Sequence, residues 1–256
     1  MLPPRPVPGW GKALVVLLFL FQLHAHAEVG SFCAGEREQA LKVAQRIDRE
    51  WPLFGHGDIP SVYIRALGER LAQSTAQGRV VPWHFQVVHD RAANAYWVGG
   101  GFVYITEGAL NLVQTESEIA AILAHEMGHQ LAGHLCQAPP TLWESFWSLM
   151  GDWSTPESGR EVHKQGVGSL TQVIDMAKEL EADRLAVQIL DLAGYDPRAV
   201  LTVARRLPAG DSFHRLRDQR RIRALEDLVV GYPSRSEKGS KGSKELQRVK
   251  RELASQ

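Results

Sequence analysis

The motif H-E-x-x-H at His125 to His129 constrains the fold of this 256-residue chain more than any other feature. The motif lies within Glu116 to Leu135, where apolar residues recur at helical spacing and Thr115 and Ser117 supply capping side chains at the start. Residues four apart on an α-helix lie about 40° from each other around its axis, so both imidazoles can reach one metal ion. The apolar neighbours predict a buried central helix, which argues against two solvated surface histidines.

Glu126, inside this motif, is predicted to be a general base. A zinc ion bound by His125 and His129 would lower the pKa of a water molecule to about 7. A carboxylate beside that water can take its proton and later pass it to the leaving amine of a peptide bond. The pattern therefore favours one zinc ion per chain and metal-dependent hydrolysis.

A catalytic zinc site needs a third protein ligand, which a second helical segment can supply. Glu179 and Asp183 are four residues apart and share one helix face, so Glu179 can bind the metal while Asp183 orients a ligating histidine. Glu181 lies about 160° from Asp183 around the helix and is expected to face elsewhere. On a continuous helix His134 lies about 180° from His125, so it is predicted to point away from the metal.

Composition places the chain among globular proteins and excludes several classes of function. Hydrophobic residues make up 44% of the chain and charged residues 23%, which suits one sizeable domain. The 29 basic and 29 acidic residues balance, so no overall charge attracts nucleic acid. The sequence contains no glycine loop of the kind that holds phosphates, and no nucleotide is expected as a partner.

The N-terminus is typical of an export signal. Arg5 and Lys12 precede the apolar run Ala13 to Leu23, and Ala25 to Ala27 fits the small-x-small pattern of a signal-peptidase site. The run is shorter than the roughly 20 residues that span a bilayer, which favours cleavage over a retained anchor. We therefore expect a periplasmic protein that can associate with a membrane. Its expected parts are a cleaved signal over 1–27, a metallopeptidase domain over 28–232 and a basic tail over 233–256 that is flexible or weakly helical.

Two features have alternative interpretations at the level of sequence. Cys33 and Cys136 can form a disulfide in an oxidising compartment or remain two separately buried thiols. The stretch from Pro139 to Gly168 carries three tryptophans, which either form a flap over a cleft or fill the core. The sequence is compatible with either alternative in each case.

The hydrophobic pattern along the chain predicts a mostly helical α+β fold with a small sheet. Amphipathic helices are expected over Glu36 to Trp51 and Pro60 to Gln77. β-Branched and aromatic residues favour strands over Trp83 to His89 and Gly101 to Thr106, in a hairpin or small sheet. Further helices are expected over Leu170 to Leu192, Pro197 to Leu207 and His214 to Val229.

Three motifs together carry a family resemblance. H-E-x-x-H is found at His125 to His129, E-x-x-A-D at Glu179 to Asp183, and N-A-x-x-x-G-G at Asn94 to Gly100. In this combination the chain resembles the HtpX-type, prenyl-protein-processing (CAAX) and Oma-type metallopeptidases, peptidase family M forty-eight. The resemblance covers the chain from about Trp83 to Tyr195. It implies a zincin-like endopeptidase domain in which Glu179 is the third zinc ligand.

The resemblance also implies how a substrate is held. In this family the glycine-rich segment looks like an edge strand that aligns an extended substrate beside the zinc, and glycines let another backbone approach. We therefore expect the edge strand near Gly99 to Tyr104, with an ordinary glycine turn as the alternative. The predicted substrate-binding residues are Asn94, Gly99, Gly100, Gly101, Phe102 and Tyr104.

Related periplasmic members also carry a His-Pro pair with an arginine six residues after the histidine. Here His214 is followed by Arg215 rather than proline, while Arg220 keeps the spacing. We therefore expect His214 and Arg220 to border the site, where they would polarise the substrate carbonyl or its oxyanion.

These expectations combine into a zinc-dependent endopeptidase that acts on extended or misfolded polypeptides. The resemblance and the export signal together indicate protein quality control, with outer-membrane proteins or their assembly machinery as partners. The alternative is a chaperone-like binding protein whose intact zinc site is latent and occluded. The two hypotheses differ in whether the effects of the protein require Glu126.

Overall fold

The computed structural model describes residues 32–137, 176–206, 219–235 and 241–255. The predicted export signal, the tryptophan-rich stretch and His214 lie outside the described residues. No helix within the described ranges is both long enough and apolar enough to cross a membrane.

Helices dominate the described part of the chain, and the prediction of a mostly helical α+β fold with a small sheet is confirmed. Thr115 caps the central helix as expected, because its side-chain oxygen accepts a hydrogen bond from the backbone N–H of Glu118 at 3.2 Å. In chain order the elements are α1 (Glu36–Glu50), α2 (Ile59–Gln73), α3 (Ala76–Val80), β1 (His84–Val88), β2 (Ala95–Trp97), β3 (Phe102–Thr106), α4 (Glu107–Leu112), α5 (Glu116–Leu131), α6 (Met176–Ala193), α7 (Ala199–Arg206), α8 (Gln219–Val229) and α9 (Lys241–Ala254).

The three strands form one sheet in the order β1-β3-β2. The two strands expected from the sequence, β1 and β3, are neighbours but run parallel, while β2 and β3 form the hairpin. Its turn contains Gly99, Gly100 and Gly101, all with positive φ, which L side chains rarely adopt. The predicted edge strand near Gly99 to Tyr104 is therefore wrong: these residues form a glycine turn and the central strand, and β2 is an edge strand.

Helix α5 is the centre of the domain. Every residue from Glu116 to Gln130 is buried, which confirms the predicted buried central helix. Helix α6 packs along α5, and the sheet contacts α5 mainly through β2. Because partners surround the helix, the side chains of its H-E-x-x-H motif are fixed by packing as well as by the backbone.

The C-terminal region, predicted as a flexible or weakly helical tail, contains a well-packed helix. Residues 241–254 form α9, which packs against α2, α4 and α5. Leu246 and Val249 are buried, and the Lys250 ammonium donates a hydrogen bond to the carbonyl of Asn111 at 3.0 Å. The many Lys and Arg residues make the composition of this segment polar, so composition alone does not reveal that its apolar residues recur at the spacing of an amphipathic helix.

Cys33 and Cys136 form a disulfide, the first of the two alternatives that the sequence allows. It joins the segment before α1 to the loop after α5, across a sequence separation of 103 residues. By chain entropy alone, closing a loop of about 100 residues stabilises a fold by about 4–5 kcal/mol. The bond also anchors the loop that follows His129.

Candidate metal centre

Two histidines of α5 converge on one point, as their spacing predicts. Nε2 of His125 lies 3.1 Å from Nε2 of His129. Both side chains are buried, and α5 is continuous through the motif. One helix therefore presents two ring nitrogens to a common position.

Glu179, from the first turn of α6, completes a triangle of donor groups, the donor triangle. Its Oε2 lies 3.6 Å from Nε2 of His125, and its Oε1 lies 3.7 Å from Nε2 of His129. Within the described residues, the other group that could hold a metal ion contains the disulfide-bonded Cys33 and Cys136. The structure thus brings together the three residues that the sequence predicts as ligands.

Gly128 permits the close approach of α6 to α5. A Cβ at Gly128 would lie 2.7 Å from the carbonyl oxygen of Ala182 and 3.0 Å from its Cα. A Cβ atom essentially never lies within 3.0 Å of a non-bonded heavy atom in a protein. Because the contacted atoms belong to the backbone of α6, the two helices would have to separate. Ala182 lies between Glu179 and Asp183 on α6, and the spacing of the helices therefore sets the geometry of the donor triangle.

The variant Gly128→Ala is expected to lower the free energy of unfolding by about 1–3 kcal/mol through overpacking, and to weaken metal binding by displacing Glu179. Urea denaturation and metal competition measure the two effects. Gly57→Ala is the control, because a Cβ at Gly57 meets nothing within 4 Å. Wild-type stability and metal affinity in Gly128→Ala would contradict the proposed spacing role.

Asp183 orients the first histidine. Nδ1 of His125 lies 3.0 Å from the Asp183 carboxylate. When Nε2 faces the donor triangle with its lone pair, Nδ1 carries the proton and donates a hydrogen bond to Asp183. Burial alone would raise the pKa of Asp183, but the Arg221 charge and hydrogen bonds from His125 and Arg221 hold that pKa at about 2. Asp183 is therefore an ionised acceptor.

Arg221, on α8, is a functional residue that sequence reasoning missed. It is fully buried, and its guanidinium donates to Asp183 through Nε at 2.7 Å and Nη2 at 2.6 Å. Its Nη1 also donates to the Glu179 carboxylate. One arginine therefore neutralises both carboxylates that α6 supplies to the site.

The preceding residue, Arg220, was the one predicted to border the site. The structure places Arg220 on the exposed side of α8, whereas Arg221 shares the buried side with Leu225 and Val229. The spacing of four residues between Arg221, Leu225 and Val229 is the sequence signal that could have identified it. His214 lies outside the described residues.

Glu126 lies beside the donor triangle without belonging to it. Burial is the largest influence on its carboxyl group and raises its pKa to about 7, and the nearby Glu179 charge acts in the same direction. The charges of His125 and Arg221 oppose this rise, as does a backbone hydrogen bond from Trp97 on β2. A carboxylate with such a pKa is suited to accept a proton near neutral pH, and a bound cation would lower the pKa again.

Trp97 joins the edge strand β2 to the metal centre. Its ring stacks on that of His129, with centroids 5.5 Å apart and planes inclined by 14°. Its indole N–H donates to the side-chain oxygen of Gln130 at 2.9 Å, and the Gln130 amide donates to Glu36 at 2.9 Å. This buried network fixes the ring that covers the second histidine.

The glycine turn uses its N–H groups within the protein. The Gly100 N–H donates to Glu36 at 3.0 Å and the Gly101 N–H donates to Gln130 at 3.1 Å. These contacts tie the turn to α1 and α5. The direct role of the two glycines in substrate binding stays a prediction, since these contacts show only that their N–H groups have partners within the protein.

The remaining predicted substrate residues belong to the core. Phe102 and Tyr104 lie on the central strand β3 and are buried, and the Tyr104 hydroxyl donates to Asp48 at 3.0 Å. Asn94 is fully buried, and its side-chain oxygen accepts the N–H of Ala95 at 2.9 Å. These residues support the hairpin from inside.

His134 also lies close to the metal centre, contrary to the expectation that it points away. Its Nδ1 lies 2.8 Å from Nδ1 of His129, and its Nε2 lies 3.4 Å from the Glu181 carboxylate. The helical extrapolation fails because α5 ends at Leu131 and the chain turns at Gly133, where φ is 65°. Gly133, near the end of the predicted helical segment, was the available signal.

Two histidines and a glutamate that can hold a metal ion, with a second glutamate beside them, define the class of a metal-dependent hydrolase. The family pattern described as Peptidase family M48 matches residues 59–237. The chain belongs to this family, and similar curated proteins are named as a protease and as a metalloendopeptidase.

Several curated proteins are similar to this chain. The beta-barrel assembly-enhancing protease of Escherichia coli (strain K12) is 31% identical over 160 residues, which cover 57% of this chain and 32% of that protein. The mitochondrial metalloendopeptidase OMA1 of Arabidopsis thaliana is 29% identical over 170 residues, which cover 65% and 31%. The matched region thus spans about a third of each relative's length.

Proposed function

We propose that the chain is a zinc-dependent endopeptidase whose ion is held by His125, His129 and Glu179. Two imidazole nitrogens, one carboxylate and an open fourth position are a donor set of catalytic zinc. Tetrahedral ligands about 2.0–2.1 Å from zinc lie about 3.3–3.4 Å from one another. The two Nε2 atoms lie 3.1 Å apart, and Glu179 places one carboxylate oxygen 3.6 Å from Nε2 of His125 and the other 3.7 Å from Nε2 of His129. This fit is the observation that carries the proposal.

The residues around the proposed ion have separate roles in hydrolysis. When bound, zinc would act as a Lewis acid that polarises a carbonyl and lowers the pKa of water to about 7. Glu126 takes a proton from water and passes it to the nitrogen of the leaving amine. Asp183 keeps Nε2 of His125 turned toward the donor triangle, and Arg221 keeps Asp183 ionised.

We assign the alignment of an extended substrate to the edge strand β2. In the described sheet β2 pairs only with β3, and its Trp97 contacts both His129 and Glu126. A polypeptide added along this edge would pass the donor triangle and present its backbone to Glu126. Asn94 and the glycine turn then act indirectly, by holding β2 in place.

For the biological role we propose quality control of exported polypeptides in the periplasm. The printed names of several relatives refer to β-barrel assembly, which supports outer-membrane proteins or their assembly machinery as partners. The sequence of residues 1–27 supports export by a cleaved signal. The substrate class consistent with an edge strand is an extended or misfolded polypeptide.

The ligand assignment is tested by removing the carboxylate of Glu179. Wild-type protein is expected to bind one zinc ion per chain and to hydrolyse casein. Glu179→Ala is expected to lose zinc affinity by more than about 100-fold, the upper range for changes outside the ligand set, and to lose hydrolysis. Metal analysis and zinc competition measure the binding.

The matched control is Glu226→Ala, which removes a partly exposed helical carboxylate paired with Arg205, outside the site. This variant is expected to keep both zinc and activity. Wild-type protein that binds no zinc, or Glu179→Ala protein that binds it with wild-type affinity, would overturn the ligand assignment.

A further inference from the structure

The second histidine of the motif has an imidazole partner of its own. His134 is fully buried just beyond the end of α5, and its Nδ1 is 2.8 Å from Nδ1 of His129. This distance is that of a hydrogen bond between two ring nitrogens, of which one must carry a proton and the other a lone pair. The contact therefore fixes the tautomers of both rings together.

The direction of this hydrogen bond follows from the donor triangle. Nε2 of His129 faces His125 and Glu179, so the lone pair that binds a metal is on Nε2 and the proton is on Nδ1. His129 then donates to Nδ1 of His134, whose own proton must be on Nε2. That nitrogen lies 3.4 Å from the Glu181 carboxylate, which can accept a hydrogen bond from its N–H group. One set of tautomers satisfies all three groups.

We propose that His134 is a positioning residue for the metal ligand His129, and that Glu181 fixes the tautomer in which His134 accepts a hydrogen bond. The inference rests on the proposed zinc site and extends it. Partners of this kind orient a ligating ring and raise its basicity, and their loss typically lowers metal affinity about 10–100-fold.

The two metal-binding histidines thus differ in what supports them. His125 donates to an ionised carboxylate that a buried arginine clamps, whereas His129 donates to a second imidazole. The carboxylate behind that imidazole, Glu181, has a side chain 49% exposed to solvent. Changes at Glu181 are therefore expected to affect metal binding less than changes at His134.

A pair of variants separates hydrogen bonding from packing at His134. His134→Asn keeps an acceptor, because the amide oxygen can reach the position of Nδ1, whereas His134→Leu has similar size and no acceptor. We expect zinc affinity to fall about 10–100-fold in His134→Leu and to stay within about threefold of wild type in His134→Asn. Zinc competition measures affinity, and the visible spectrum of the cobalt-substituted protein reports the changed ligand field.

Urea denaturation after chelation shows how much each variant changes the stability of the fold alone. Equal losses of zinc affinity in His134→Asn and His134→Leu, or wild-type affinity and cobalt spectrum in His134→Leu, would overturn the inference. Wild-type protein that binds no zinc would instead overturn the proposed function, so the two failures are distinguishable.

The role of Glu181 is tested with Glu181→Gln, because its amide oxygen is a weaker acceptor for the Nε2 proton. A loss of a few-fold in zinc affinity is expected. Glu107→Gln is the control: Glu107 lies 3.5 Å from His89, another histidine–carboxylate pair outside the site. Equal affinities in the two variants would remove Glu181 from the proposal.

Discussion

Replacing Glu126 with Gln is expected to lower casein hydrolysis about 10²–10⁴-fold while the protein keeps one zinc ion per chain. Glutamine has the shape of glutamate and can still accept the backbone hydrogen bond from Trp97, but it cannot accept a proton from water. Because Glu126 lies outside the donor triangle, metal binding should persist. Hydrolysis and zinc content are measured on the same preparations.

Glu118→Gln is the matched control, since Glu118 is buried on the same helix two turns earlier and pairs with Arg206. It is expected to retain turnover. Wild-type rates in Glu126→Gln would show that Glu126 is not the base. Cellular effects that persist in an inactive Glu126→Gln protein would favour the latent, chaperone-like alternative over a protease.

The candidate metal site was largely predictable because its geometry is local. Spacing of four residues on one continuous helix brings His125 and His129 together whatever packs around them. The same spacing relates Glu179 to Asp183 on α6. The sequence alone could not show that α5 and α6 lie side by side. The need for a third ligand nevertheless restricted which acidic residues could complete the site. Gly128 is the residue that allows the two helices to lie so close together.

Residues beyond the end of a helix were not predictable in this way. The 180° placement of His134 assumed an unbroken helix, whereas Gly133 turns the chain and brings His134 back to His129. A small change in where a helix ends therefore reverses the position of a side chain relative to the site. Helix ends are also the least certain feature of any pattern-based prediction.

Contacts between distant segments were the second limit. Arg221 is separated from Asp183 by 38 residues, and only the packing of α8 against α6 brings them together. The order of the strands is another such contact, since the sequence pattern of β3 fits a central strand and an edge strand equally well. Motif spacing alone selected Arg220, one position away.

The charges around Arg221 explain why this residue matters for the fold as well as for the site. Asp183 and Glu179 are both buried and both accept hydrogen bonds from its guanidinium. Without Arg221, two carboxylates would remain in the protein interior with no arginine to neutralise them. Uncompensated buried charges are among the most destabilising changes in proteins.

Arg221→Met is therefore expected to lower the free energy of unfolding by about 3–5 kcal/mol, measured by urea denaturation of the chelated protein. Arg220→Met, the adjacent exposed position, is the control and is expected to change stability by no more than about 0.5 kcal/mol. Addition of zinc should reduce the deficit in Arg221→Met, because the ion neutralises Glu179. Equal stabilities of the two variants would contradict a charge-neutralising role for Arg221.

The pH dependence of this deficit has a defined sign. The pKa of Asp183 is about 2, below the value of about 3.9 for an unfolded chain, so the ion pair stabilises wild type above about pH 4 and is lost as the pH falls towards 2. In Arg221→Met the lowering effect of the arginine on the pKa of Asp183 is lost, whereas burial still raises that pKa. Protonation of Asp183 then removes its buried charge and reduces the destabilisation of the variant. The difference in the free energy of unfolding between wild type and Arg221→Met should therefore become smaller as the pH falls from 7. A difference that is constant with pH would rule out Asp183 as its source.

Adding Asp183→Asn to Arg221→Met should recover part of the lost stability at neutral pH, because it removes the buried charge that Arg221 neutralises in wild type.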